Sequence, residues 1–288
     1  MIPATFNYEA PATIEEAINL LAANPDDAKI LAGGHSLLPA MKLRLAQPSL
    51  LVDIGRIKNL SFIREEGGRI SIGAMTTHYQ LESSDLLKKI CPLLPECASH
   101  IGDVQVRNKG TIGGSVAHSD PAGDLPAAIL ALNAQLVTAG ANGERIIKAE
   151  DFFVDLLTTA LAPGEILREI RIAKPAGRFG HAYQKVRHPA SGFAVVGVAV
   201  ALNLNQDGGC ESAAVGVTGV GSKAFRANGV EQALSGQQLN DAMIAAAAAR
   251  ATDGIDANSD LYASEDYRRH LAQVYMRRAI HQAWNRAK

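Results

Sequence analysis

Two short stretches of this 288-residue chain carry residues suited to holding a ligand. The first is Leu31-Ala32-Gly33-Gly34-His35-Ser36-Leu37-Leu38-Pro39, reached from the apolar pair Ile30-Leu31. The second runs from Arg107 to Ala128, RNKGTIGGSVAHSDPAGDLPAA, with Thr111-Ile112-Gly113-Gly114-Ser115 at its centre. Paired glycines allow dihedrals and close approaches that a Cβ would block. Flanking hydroxyls add donors without bulk. Backbone N–H groups of residues 32–36 and 111–115 are therefore candidates to face a phosphate or the edge of a flavin. One Gly-Gly turn is usually only a turn. Two of the same design, one early and one mid-chain, suggest two walls of one cleft.

Other reactive side chains fit reactive roles less well. His35 lies inside the first glycine stretch, where packing or hydrogen bonding suits it better than acid–base work. His118, Asp120 and Asp124 form a nominal metal triad, but they occupy the second stretch, and no metal site is assigned. Cys91 and Cys97, with Pro92 and Pro95 between them, lack zinc-site spacing. With Cys210 they make three cysteines, one short of the four thiolates an iron–sulfur cluster usually takes. Buried, inert thiols in a reducing compartment are expected. Arg268, Arg269, Arg277, Arg278, Arg286 and Lys288, near the end, read as a solvated helix face, with subunit docking as a second use.

The elements that must position the two stretches follow from periodicity and capping. Thr13 and Glu16 form a capping box ahead of Ile14, Ala17, Ile18 and Leu21 at helical spacing. Residues 28–31 read as a strand delivering the first stretch, and 50–54 as another strand. Residues 60–64 and 69–72 make a hairpin over 65–68, as do 135–139 and 144–147 over 140–143. Residues 103–107 alternate and lead into the second stretch. Helices are expected over 126–132 and 151–157, and Ile166, Ile170 and Ile172 mark a strand. Beyond Pro175-Ala176-Gly177 come three strands (183–186, 193–204, 211–220) and three helices, the last capped by Ser264. The fold class is α+β. A dinucleotide-binding strand–GxGxxG–helix unit is absent.

Composition narrows the class. Net charge is −1 and charged residues make up 20%, so neither nucleic acid nor an anionic membrane is indicated as partner. The N-terminus shows no export signal. The longest apolar run, 193–202, is about half the ~20 residues that a membrane span requires. A cytoplasmic protein is expected.

AGGHSLLPAMK and RNKGTIGGSVAHSDPAGDLPAA closely resemble the two FAD-pyrophosphate loops of the FAD-binding medium subunit of molybdenum hydroxylases. The likeness is to carbon-monoxide-dehydrogenase-type enzymes and, more distantly, to the FAD domain of xanthine dehydrogenase, and it spans essentially the whole chain. It implies a vanillyl-alcohol-oxidase-like (PCMH-type) FAD domain over 1–176, with subdomains of about 1–57 and 58–176. A C-terminal domain over 177–288, with a three-stranded antiparallel sheet and helices, would follow. It implies non-covalent FAD held by Leu31, Ala32, Gly33, Gly34, His35, Ser36, Thr111, Ile112, Gly113, Gly114 and Ser115. Asp124 would hold a ribityl or ribose hydroxyl, Leu167 would lie near adenine, and Lys185 near the flavin. For Asp124 a helix N-cap role is equally open, as is a solvated edge-strand position for Lys185. Phe193 falls where some relatives carry a tyrosine beside the flavin; a strand-core role is as reasonable. The resemblance further implies a [2Fe-2S] small subunit, a molybdopterin large subunit and an (αβγ)2 heterohexamer. The substrate, oxidised on the large subunit, would be an N-heterocycle, an aldehyde or CO. Ser115, where CO-oxidising relatives tend to have Asn, leans slightly towards N-heterocycles. No residue is assigned as catalytic. Two rivals stay open: a self-sufficient flavin oxidoreductase with its own substrate site, and an assembly scaffold that has lost FAD.

Overall fold

The computed structural model describes residues 1–288, and three sheets carry its architecture. The first contains β1 (Asn7–Glu9), β3 (Leu50–Asp53) and β2 (Ala28–Leu31), in that order and parallel throughout. Parallel neighbours need a crossover. The helix α1 (Ile14–Ala23) links β1 to β2 on the far side of β3, and its capping box forms as expected: Thr13 accepts from Glu16 N, and Glu16 reaches back to Thr13 N. Ala17, Ile18 and Leu21 of α1 bury against Leu50 and Val52 in a small separate core. The strand β2 ends in the first glycine stretch, and α2 (Leu37–Lys42) leaves it.

The second sheet has the order β4-β5-β10-β6-β7, from β4 (Ile63–Glu66), β5 (Arg69–Gly73), β6 (Gln135–Gly140), β7 (Gly143–Lys148) and β10 (Ile166–Ala173). Both expected hairpins are present, and β10 inserts between them, antiparallel to β5 and β6. Six short helices follow β5: α3 (His78–Ser83), α4 (Asp85–Ile90), α5 (Leu93–Ser99), α6 (Val104–Lys109), α7 (Ile112–His118) and α8 (Asp124–Ala131). Their apolar residues form one core with the sheet.

Two local expectations fail here. Residues 103–107 alternate like a strand but form α6, because Asp103 accepts from Val106 N at 2.9 Å and caps a helix. Five residues of alternation are too few to outweigh a good N-cap. Residues 151–157 are not one helix. A single turn, α9 (Ala149–Phe152), gives way to β8 (Phe153–Asp155), which pairs with β9 (Thr158–Thr159).

The third sheet, β11 (Arg178–Arg187), β12 (Ala194–Leu204), β13 (Cys210–Thr218) and β14 (Phe225–Arg226), is antiparallel in that order. The short β14 makes it four-stranded rather than three-stranded. Three helices close this half: α10 (Asn228–Leu234), α11 (Asp241–Ala248) and α12 (Glu265–Ala287), the last capped by Ser264. The helix α12 is not only a solvated basic face. Arg268 is buried and donates to the carbonyls of Val195 (2.7 Å) and Gly219 (2.6 Å), and it pairs with Asp260. The two halves meet tightly, since a Cβ at Gly216 on β13 would collide with the carbonyl of Ala127 on α8. No helix is long and apolar enough to cross a membrane.

Candidate functional site

The two glycine stretches come together. An ideal Cβ at Gly33 would collide with the Lys109 carbonyl oxygen and lie 2.7 Å from Gly110 Cα. One at Gly114 would rest 3.7 Å from the Ala32 side chain. Residue 33 must therefore be glycine for this approach, and Gly34 takes φ +75°, a left-handed conformation that suits glycine.

Their hydrogen bonding differs. In the first stretch the amides of Gly33, Gly34, His35 and Ser36 donate to no protein acceptor, and the residues are half-buried or exposed. His35 holds its own loop, Nδ1 lying 3.0 Å from Gly33 O. A succession of unengaged amides on a glycine turn is an anion-binding arrangement. The second stretch is not a turn. Thr111 is the N-cap of α7, and the glycines form its first helical turn. Ile112 N donates to Thr76 O (2.9 Å) and Gly113 N to Ala74 O (2.8 Å). Gly114 N donates to the Thr111 hydroxyl and Ser115 N to the Thr111 carbonyl, both at 3.0 Å. The expectation of free donors is corrected for Ile112, Gly113, Gly114 and Ser115, whose amides are engaged within the protein. This stretch offers the Thr111 and Ser115 hydroxyls and a glycine surface, while the amides of 112, 113 and 115 bind backbone carbonyls and that of Gly114 binds the Thr111 hydroxyl.

His78, which sequence reading did not single out, underlies the junction. A Cβ at Gly110 would lie 2.7 Å from its ring, and His78 N donates to Gly110 O at 2.9 Å. Burial, with His35 and Arg107 nearby, lowers its pKa to about 4, so the imidazole is neutral at pH 7.

A second cluster gathers where α8 meets β11. Asp124 is not an N-cap: Gly123 holds that position, and Asp124 is the first helical residue, buried. Its carboxylate accepts from Lys185 Nζ at 2.8 Å and from Tyr183 Oη at 2.5 Å. Lys185 is not solvated. Its side chain is 0% exposed and also donates to His100 O at 3.0 Å. Burial raises the Asp124 pKa against the opposing pull of Lys185, and it raises that of Tyr183 strongly. The Tyr183 ring meets His100 edge-on. Beside them Glu96 pairs with Arg286 (2.5 Å) and His181 (3.4 Å). Burial alone would raise Glu96, but those two hydrogen bonds hold it below its ordinary value. Tyr183 and Lys185 share a face of β11 by the two-residue period of a strand, the only sequence signal that could have linked them.

The remaining assignments divide. Leu167 on β10 is buried in the same core as Ile112, Val116 and Tyr183. Phe193 is not a core residue: it precedes β12 and is 47% exposed. His118 and Asp120 stand 3.9 Å apart, and no group of three or more His, Cys, Asp or Glu has metal-holding geometry. All three cysteines are buried and free, burial pushing Cys91 up to about 12 and Cys210 to about 11. An open polar groove of about 780 Å³ along α12 is lined by none of the expected cofactor residues; Gln184, the neighbour of Lys185, is on its rim.

The residues present fit a flavin dinucleotide. Unengaged amides suit a pyrophosphate, and hydroxyls with a carboxylate suit sugar hydroxyls.

Comparison with known proteins agrees. Residues 4–175 match the family described as FAD binding domain in molybdopterin dehydrogenase, and residues 181–283 match the CO dehydrogenase flavoprotein C-terminal domain. The chain is 42% identical to the carbon monoxide dehydrogenase medium chain of Hydrogenophaga pseudoflava, over 99% of both chains. It is 37% identical to the 6-hydroxypseudooxynicotine dehydrogenase complex subunit alpha of Paenarthrobacter nicotinovorans, covering 100% of this chain and 97% of that one. A solved structure of quinoline 2-oxidoreductase from Pseudomonas putida 86 superposes with TM-score 0.93 at 34% identity, over 100% of this chain and 99% of that one.

Proposed function

Because the chain belongs to the FAD-binding medium subunits of molybdenum hydroxylases, we propose that it is the electron-transfer flavoprotein of such an enzyme. It takes electrons from a [2Fe-2S] partner subunit and passes them to an external acceptor. As an oxidoreductase subunit it works within a multisubunit complex. The molybdenum cofactor and iron–sulfur clusters belong to the partners, in an (αβγ)2 assembly, and the substrate is an N-heterocycle, an aldehyde or CO. Residues 1–176 form the FAD domain and 177–288 the C-terminal domain.

The observation carrying this reading is the run of unengaged amides at Gly33–Ser36, backed by Lys109–Gly110, which leave no room for a Cβ at residue 33. When bound, FAD supplies the redox chemistry, accepting and releasing electrons. The protein supplies orientation and charge. Gly33, Gly34, His35 and Ser36 bind the pyrophosphate through their amides. Leu31 and Ala32 lead into that turn, while Thr111, Ile112, Gly113, Gly114 and Ser115 form the facing wall. Asp124 accepts from a sugar hydroxyl, Leu167 lines the adenine side, and Lys185 places a cation near the flavin. No side chain need act as general acid or base.

The test is the visible spectrum of the purified chain before and after denaturation, with FAD added back. About one flavin per chain, released on denaturation, is the expected result and also excludes covalent attachment. A colourless chain that takes up no FAD, even with partner subunits present, would overturn the reading.

A further inference from the structure

Asp124 lies on α8, yet both side chains that hold its carboxylate come from β11 in the other half of the chain. The Lys185 ion pair alone would fix its charge. The Tyr183 hydroxyl is an additional donor, fully buried, and the surrounding strands make room for it. A Cβ at Gly197 on β12 would lie 2.5 Å from Tyr183 Oη and 2.7 Å from Thr218 Cγ2. A phenyl ring would fill the apolar part of this space, and an unbonded buried hydroxyl is costly. The hydroxyl meets that cost with a single side-chain partner, Asp124 Oδ1. An ionised carboxylate offers about four lone-pair sites. Tyr183 occupies one on Oδ1 and Lys185 Nζ lies 2.8 Å from both oxygens, so acceptor capacity for a further donor remains.

We propose that Tyr183 is a positioning residue for the cofactor: its hydroxyl clamps Asp124 Oδ1 so that the free lone pairs of the carboxylate meet a sugar hydroxyl of FAD. The C-terminal half thereby helps set FAD affinity through a residue that need not touch FAD. This inference rests on the FAD reading above. The charged and titratable groups facing the carboxylate are Lys185 and Tyr183 from β11 and Cys97 and His100 from the α5 region; Glu96 stands behind Cys97 and His100, and Arg187 lies beside His100 O.

The test uses the full chain, stripped of flavin and titrated with FAD across about pH 5 to 8, as wild type, Tyr183→Phe, Asp124→Asn and the double variant. Tyr183→Phe is expected to weaken FAD binding about tenfold, the loss of one charge-assisted hydrogen bond. It should also move the acid limb of the binding profile to higher pH, because a donor that favours the ionised carboxylate is gone. In the Asp124→Asn background Tyr183→Phe should cost little more, and the acid limb should disappear. The inference is overturned if Tyr183→Phe lowers the melting temperature but leaves affinity and acid limb unchanged. A full tenfold loss in the Asn background would overturn it too, as would an acid limb surviving there, which would belong to His100. A wild-type chain that takes up no FAD would overturn the cofactor reading and this inference with it.

Discussion

His78 shows how one buried side chain can make the junction of the glycine stretches sensitive to acid. Its ring fills the space left by Gly110, its Nδ1 has no partner, and its pKa is lowered from 6.5 to about 4. Between those values the unfolded chain binds more protons at this site than the folded chain does. Stability therefore falls as pH drops from 6.5 towards 4, and the contribution is fully kept above 6.5. At about pH 5 the loss is on the order of 2 kcal/mol. A His78→Gln chain, compared with wild type by urea unfolding at about pH 7.5 and pH 5, should lose less stability than wild type between the two; equal losses would contradict the assignment. The sequence shows His78 only as a residue just after a capping threonine. Its importance depends on Gly110, which is distant in sequence and adjacent in space. The glycines at 33–34 and 113–114 were legible because few other residues tolerate such approaches. Which of the neighbouring amides are free was not, since that depends on where Thr76 and Ala74 place their carbonyls.

Elements were legible where capping and periodicity agreed. The box at Thr13–Glu16 begins a helix where expected, and both glycine- or Asn-Gly-turned hairpins form. The misreadings came from short segments. At α6 a single Asp103 side chain overrides strand-like alternation, and at 153–159 pairing of β8 with β9 overrides helix propensity. The second glycine stretch was hidden because Gly-Gly is a poor helix former. Thr111 accepts from Gly114 N, and the amides ahead of it dock on Thr76 and Ala74, so tertiary bonds carry the turn. Thr111→Val removes that cap while preserving shape. We expect a loss of about 1 kcal/mol in urea unfolding, with the m-value unchanged. No change in midpoint would show that the docking bonds alone hold α7.

At the scale of the whole molecule, the halves are joined by polar bonds as well as by apolar packing. Thr218 Oγ1 lies 2.7 Å from Pro121 O and 2.8 Å from Gly123 O, and Gly219 N donates to Pro121 O at 2.6 Å. These bonds fix the 119–123 link between α7 and α8, the segment that carries the chain from the second glycine stretch to Asp124. FAD bound across both clusters should stabilise both halves together. At a hundred times its Kd the gain is about 2.7 kcal/mol, readable as one upward-shifted calorimetric transition. Two transitions, only one of them FAD-sensitive, would argue against a site shared by both halves. The α+β class could be read from the sequence, but the seam could not, because its partners are far apart in the chain. That distance has a consequence during synthesis. Glu96 is 190 positions from Arg286, and Asp124 is 61 positions from Lys185. At roughly 5–20 residues per second, a ribosome leaves Asp124 without its lysine for ~3–12 s and Glu96 without its arginine for ~10–40 s. The nascent amino-terminal half thus spends that interval with two unpaired carboxylates and the uncovered face of α8, so a chaperone has its opportunity there, before the last helix emerges.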